Sequence, residues 1–504
     1  VSSPSATASR IAMATMIGCS LVVMLDNTII TVALPTIARE FALTTAQMQW
    51  VVDAYTVVFA GMLLTAGAVA DRFGKVRVLV AGIALFTVTS MVIPFVSGFL
   101  GVAGGRAVLG LAAAMVYPPT LGIVVDLATR GTDEGADRDQ RRASALALWA
   151  TAGGLGVACG PIVGGLLVEH FGWRSVFVMN VPLGVGAMLA LWAVRSTLAD
   201  ATTETEEAAP IGPVSAVLSV LAIGTMVLAV IEAPADGWTS RESVNRYVIA
   251  AAVGVLFAVQ QARTSRPIVP WQVFRGIQMR WGSAVIFLCF GLLFGLVFIL
   301  VLYFQIVRGA SPPTAGAMLL PFAAGMAVAS PLGPVLGRRT EWRVPIIAGL
   351  TVMAIGFALF RSTPWEGSYW GYPFFGLLVL GVGFAVVQVP ATEYIMNSVA
   401  PQQFGIGSAV NDTSRELGGA FGVAILGSVF ATALASRAGL GGRGDAMGLL
   451  LEAGPDTPGS AVVLQEYFVP AMQTCLLIAI VAVAVTAACA AALLIRSRLL
   501  AKVM

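Results

Sequence analysis

Fourteen stretches of predominantly apolar residues follow one another along this chain of 504. Each approaches the roughly 20 residues that a helix needs to cross about 30 Å of hydrocarbon. Stretches of this length and composition read as membrane-spanning helices. We place them at 11–34, 50–70, 76–97, 99–127, 143–168, 175–194, 214–231, 247–262, 282–307, 315–336, 344–360, 373–392, 405–433 and 470–495. Segments rich in Gly, Pro and charge, such as 131–142 and 199–213, punctuate them as loops do. Only 11% of the residues are charged, against about 25% in soluble domains. The expected fold class is all-α integral membrane.

Orientation follows from the basic residues. With the N-terminus inside, the inner segments hold nineteen Lys and Arg and the outer segments eight, a bias that predicts both termini on the cytoplasmic side. Residues 2–9 lack a basic leader, so the first helix is expected to stay as an anchor. Lys occurs only at 75 and 502, and this reliance on Arg suggests a high-GC bacterium, hence an inner-membrane location. A net charge of +3 is too small to argue for nucleic acid. The five cysteines lie in apolar spans with no CxxC spacing and read as small core residues, with no metal or cofactor implied.

The spans divide as six, two and six. We expect a six-helix bundle over 11–194, a linker with two additional helices over 195–280, a second bundle over 281–495, and an extended outer loop at 434–469 within it. A weak echo relates the halves: Gly67 to Arg77 follows the second span of one, and Gly333 to Arg339 the matching span of the other. Paired bundles with a site at their interface are the usual build of secondary transporters.

Acids inside these spans carry the functional argument. An intramembrane charge costs roughly 2.5 to 3.5 kcal/mol at a helix centre and marks a functional site by default. Asp26, Asp53, Asp412 and Glu416 stand against Arg106 and Arg415, so if each Arg takes one acid, two carboxyls remain. Such groups can hold either a proton or an organic cation, and that competition is a coupling mechanism. The alternative has Asp26 and Asp53 merely pinning helices through Arg106. Asp412 and Arg415, three residues apart, can pair on one helix face.

Together the motifs resemble the fourteen-helix drug:proton antiporters of the major facilitator superfamily, over nearly the whole chain. Leu25-Asp26-Asn27-Thr28 running to Ala33-Leu34-Pro35 is similar to that branch's helix-one signature, and Gln49-Trp50-Val51-Val52-Asp53-Ala54-Tyr55 to its second-helix entry. Gly67 to Arg77 matches the loop between helices two and three, Arg106 to Gly110 the fourth-helix motif, and Asn411 to Gly419 the thirteenth-helix motif. The resemblance implies two six-helix bundles plus two central helices, and export of lipophilic, often cationic compounds in exchange for protons. It also places helix one beside helix four. Asp26 and Arg106 then lie roughly 13 and 10 Å below the outer surface and can face each other. Glu416 sits roughly 16 Å deep, near the midplane, and Asp53 near the outer end of helix two, close to water.

Gly156, Gly160 and Gly164 recur every four residues on one face of the fifth span, with Pro161 and Gly165 beside them. By spacing alone they are close-packing residues, with Pro161 a kink or swivel. In the family this motif marks exporters, so the resemblance implies export over uptake. Gly67, Asp71, Arg72, Gly74, Lys75 and Arg77 read as a gating loop: the glycines permit a tight turn, and Asp71 can pair with a cation in one conformation only. Val76 replaces a basic residue common in the family, which shifts the latch onto Lys75 and Arg77. A purely topological basic loop is the simpler alternative.

Phe290, Phe294 and Phe298 share a face at spacing four, on a helix that lines the cavity in this family. With Tyr55 they are the expected aromatic contacts for a cation. A membrane-embedded enzyme is poorly served: His170 is the sole histidine, and HExxH and GxxxxGK are both missing. The expected partners are protons, small lipophilic substrates and the lipid bilayer, with the chain a monomer. Export of a lipid or an endogenous metabolite is the nearer alternative.

Overall fold

In the computed structural model, helices fall on all fourteen predicted positions. The structure describes the chain apart from residues 1–5, 130–135, 196–212, 265–266, 268–270, 333–335, 337–340, 365–366, 400–403, 439–463 and 504. The first six long helices are α1 (Ala6–Phe41), α2 (Thr45–Phe73), α3 (Lys75–Val92), α4 (Gly98–Thr129), α5 (Ala136–Phe171) and α6 (Ser175–Ala193). Two follow in the middle, α7 (Pro213–Ile231) and α8 (Arg241–Arg263). The last six are α9 (Ile277–Leu302), α10 (Pro312–Ala329), α11 (Arg343–Arg361), α12 (Tyr372–Met396), α13 (Phe404–Arg437) and α14 (Val469–Val503). Among the described residues, 13 helices are long and apolar enough to cross a membrane. The second predicted span is occupied by α2, with 29 residues.

Within the first six helices α1 packs along α5, α2 along α4, and α3 against α4 and α6; within the last six, α9 packs along α13, and α11 along α12 and α14. Glycine builds the tightest of these contacts. A Cβ at Gly156 or Gly164 would run into α1 at Leu21 or Ile29, and one at Gly160 into Thr28. The second half repeats the device, since a Cβ at Gly418 or Gly422 would strike the α9 backbone at Phe287 or Gly291. Pro161 does not break α5, which runs unbroken from Ala136 to Phe171. Having no N–H, Pro161 leaves the Val157 carbonyl free, and Thr28 Oγ1 of α1 donates to it at 3.2 Å.

The expected gating loop is mostly helix. α2 continues through Gly67 and Asp71 to Phe73, the turn is Gly74 alone at φ 94°, and α3 begins at Lys75. A positive φ there explains the glycine, whereas Gly67 sits inside α2 against Pro118. Lys75 Nζ lies 2.7 Å from Asp126 Oδ2 near the end of α4, so Lys75 is tied to a residue of its own half. Arg77 bonds the Phe73 carbonyl at 3.5 Å, and Arg72 stacks over the Phe73 ring at 5.1 Å. The side chain of Asp71 lies outside the described residues, as does most of the expected loop at 434–469. Cys159 and Cys489 are exposed, which corrects their reading as core residues; Cys19, Cys289 and Cys475 are buried.

The halves meet at the face where α1 ends. Gln49 of α2 donates to the carbonyls of Val423 and Ala424 on α13, both at 3.1 Å, and Gln305, in the π-helical turn after α9, donates to Val32 on α1 at 3.0 Å. Gly165 abuts Pro312 and Pro313, and Gly316 abuts Pro161, which closes α5 onto α10. α7 spans the seam beside α2 and α13: Ser219 bonds the Gly61 carbonyl at 2.7 Å, and Ser428 the Val230 carbonyl at 2.9 Å. Buried amides that cross the seam must break when this face opens. Gln49→Ala is therefore expected to favour the opened state by about 1 kcal/mol, roughly fivefold. Accessibility of single cysteines placed along the α2–α13 seam measures it, and unchanged labelling would contradict it.

Candidate functional site

Three consecutive residues of α1 reach three different neighbours, because successive side chains on a helix point about 100° apart. Asp26 turns into the first six helices, Asn27 towards α13, and Thr28 towards α5.

Asp26 is fully buried and its two oxygens take different donors. Arg106 Nη1 of α4 binds Oδ2 at 2.9 Å, and Asn180 Nδ2 of α6 binds Oδ1 at 2.7 Å. The Arg106 guanidinium lies 4.3 Å over the Tyr55 ring and also donates to the Val51 carbonyl at 3.3 Å. Tyr55 is thus the seat of Arg106 and does not line the cavity between the halves, where it was expected; its hydroxyl donates to the Val23 carbonyl at 3.2 Å. Asn180 went unassigned in the sequence, although it is the one polar side chain inside its span beyond Ser175.

A second polar group sits between the halves. Asp412 and Arg415 of α13 approach to 3.7 Å, and Arg415 covers the Phe290 ring at 4.5 Å. Glu416 is 8% exposed and, among the described residues, receives one hydrogen bond, from Asn27 Nδ2 at 3.3 Å across the seam. Around this group a small cavity of about 40 Å³ is lined from both halves, by Phe59, Tyr117 and Gly154 on one side and by Phe290, Phe294 and Glu416 on the other. That volume holds about one water. Binding pockets for drug-sized molecules run to roughly 300–1,000 Å³, so the cavity as it stands is too small for one. Gly154 leaves open space where a side chain would stand.

Two expectations need correction. Phe298 is 1% exposed and packed in the core of the second half, one turn beyond the cavity that Phe290 and Phe294 line. Its place among the aromatics falls to Tyr117 of α4, whose ring lies 4.4 Å from that of Trp149, tilted by 50°. Asp53 is not close to water: it is 0% exposed, and neither carboxylate oxygen has a hydrogen-bond partner among the described residues. The cause is the covering of α2 by α13 and α7, which depth counting along one helix cannot register. Since a lone buried charge is costly, the neutral and isosteric Asp53→Asn is expected to keep thermal stability within about 1 kcal/mol of the parent or to raise it. Unfolding in detergent checks this, and a loss of several kcal/mol would reveal a partner for the acid.

Among the described residues no group of three or more His, Cys, Asp and Glu could hold a metal. The arrangement offers instead one buried ion pair in the first half, one exposed to the cavity in the second, and two acids that no Arg neutralises directly.

Comparison with known proteins agrees with this architecture. The family model described as Major Facilitator Superfamily matches residues 16–423. The "Multidrug resistance protein Stp" of Mycobacterium tuberculosis (strain CDC 1551 / Oshkosh) is 31% identical over 414 residues, covering 82% of this chain and 74% of that protein. The "Multidrug efflux pump LfrA" of Mycolicibacterium smegmatis is 33% identical over 427 residues, covering 84% and 81%. Among solved structures, a bacterial homolog of the human lysosomal transporter Spinster, inward-facing and unoccupied, superposes with a TM-score of 0.68 at 16% identity, over 97% of this chain and 98% of that one. With this fold and relatives named for drug resistance and efflux, the chain belongs to the major facilitator superfamily.

Proposed function

We propose that the chain is a proton-coupled exporter of lipophilic, often cationic compounds, seated in a bacterial inner membrane with both termini in the cytoplasm. In that orientation the closed face is external. The observation that carries the reading is Glu416: an acid in the cavity between the halves, beside aromatic faces, with a hydrogen bond from Asn27 of the opposite half. A passenger cation meets a carboxylate and the rings of Phe290 and Phe294. A proton arriving at Glu416 removes the charge that held the cation, so the two compete for one site. Because Asn27 follows Asp26 on α1, a shift of Asn27 at the seam turns the helix that also carries the Asp26–Arg106 pair. This supports Asp26 as the partner group through which protonation is felt in the first six helices. Lys75 and Asp126 brace α3 against α4 on the inner side while the bundles rock.

The test is efflux of a lipophilic cation from proteoliposomes under an imposed pH gradient. Export should accelerate with the gradient in the parent and become insensitive to it in Glu416→Gln. Rates that ignore the gradient in the parent would refute proton coupling. Export of neutral lipids alone would favour the metabolite or lipid exporter instead.

A further inference from the structure

Each half carries an arginine laid on an aromatic ring beside an acid, and the two differ in how they are held. In the first half Arg106 lies 4.3 Å over Tyr55, is 0% exposed, and is fixed by Asp26 at 2.9 Å and by the Val51 carbonyl at 3.3 Å. In the second, Arg415 lies 4.5 Å over Phe290, but its ion-pair partner Asp412 is 3.7 Å away, too far for a good hydrogen bond. Its Nε has no partner among the described residues, and its side chain is 25% exposed. Arg106 is built in. Arg415 only rests in place.

The place where it rests is the one a passenger needs. Asp412, Arg415 and Glu416 are the charged groups lining the cavity between the halves, so one cation stands against two acids, and the site has room for a second positive charge. The ring face is where the two cations conflict. Phe290 is 7% exposed, and the guanidinium already covers the ring that a cation in the cavity would use. A planar, weakly hydrated guanidinium is also the side-chain cation most like a lipophilic organic cation. Space to move is at hand, since Gly154 in the cavity wall leaves open volume where a side chain would stand.

We propose that Arg415 is a resident stand-in for the passenger. In the empty cavity its guanidinium occupies the face of Phe290, and an organic cation enters by displacing it and taking that ring together with Glu416. The inference rests on the export reading, whose cation site it uses, and adds that the site is closed to a cation until its own arginine gives way.

The experiment is equilibrium binding of tetraphenylphosphonium to the purified full chain in detergent. Arg415→Gln is expected to bind it roughly tenfold more tightly than the parent, because the ring no longer has to be vacated. Phe290→Leu should change little in the parent, where passenger and guanidinium lose the ring alike. Combined with Arg415→Gln it should weaken binding roughly fivefold, since the ring then serves the passenger alone. Arg415→Lys keeps the charge and loses the planar fork, and should bind roughly threefold more tightly than the parent. Binding in Arg415→Gln no tighter than in the parent, an equal effect of Phe290→Leu in both backgrounds, or parent-like binding in Arg415→Lys would overturn the proposal. So would failure of both Arg415 variants to fold, which would make the residue a pin of α13. Glu416→Gln keeps the export reading apart. Binding weakened there but unmoved by the Arg415 variants removes the stand-in alone, whereas binding unmoved in all of them removes the cation site itself.

Discussion

Asp26→Asn should cost the folded protein about 3–5 kcal/mol, as expected when one partner of a buried ion pair is removed and the other charge stays behind. Arg106 has nowhere to go. It is 0% exposed, its Nη2 has no partner among the described residues, and its remaining contacts are two carbonyls and the Tyr55 ring. Unfolding in detergent, followed by heat or denaturant, measures the loss, and adding Arg106→Gln to Asp26→Asn should recover most of it. A cost below about 1 kcal/mol would mean that water or another acid neutralises Arg106. The double variant also separates two roles that the single variant confounds. Recovered stability without recovered gradient-driven export assigns Asp26 to proton coupling; recovery of both would make it a pin between α1, α4 and α6.

That pair shows how far a sequence can be read. Asp26 and Arg106 were legible because both are charges in apolar spans, and counting residues from the span ends puts them at similar depth. The seam partners were not. Asn27 stood inside a recognised motif yet carries no charge, so the cost argument that singles out acids passes over it, although its amide is what crosses to Glu416. Asp126 lies at the inner end of α4, where an acid is unremarkable until α3 brings Lys75 to 2.7 Å. Helical spacing correctly put Phe290, Phe294 and Phe298 on one stripe, but a stripe does not say where along its length a cavity ends. Tyr55 and Asp53 failed for a related reason: two residues apart on α2, they face α4 and the α13 side, and only the packing of helices distant in sequence decides which face is wet.

Glu416→Gln should lower gradient-driven export of cations by roughly 10- to 100-fold, the equivalent of about 1.5–3 kcal/mol for a hydrogen bond or contact to a charged group, while neutral passengers lose much less. The substitution is chosen for what it keeps. The Gln side chain has the same length, and its carbonyl oxygen still accepts from Asn27, so the link across the seam survives and only the charge is gone. Glu416→Leu removes both and should slow every passenger alike. In the parent, cation affinity should fall as the medium is acidified, because the proton and the cation compete for one carboxylate. In Glu416→Gln that dependence should flatten. Equal losses for charged and uncharged passengers in Glu416→Gln would leave the acid as a hinge contact and move the cation site to Asp412. That acid already has Arg415 within 3.7 Å, so it can offer a cation less uncompensated charge than Glu416 does.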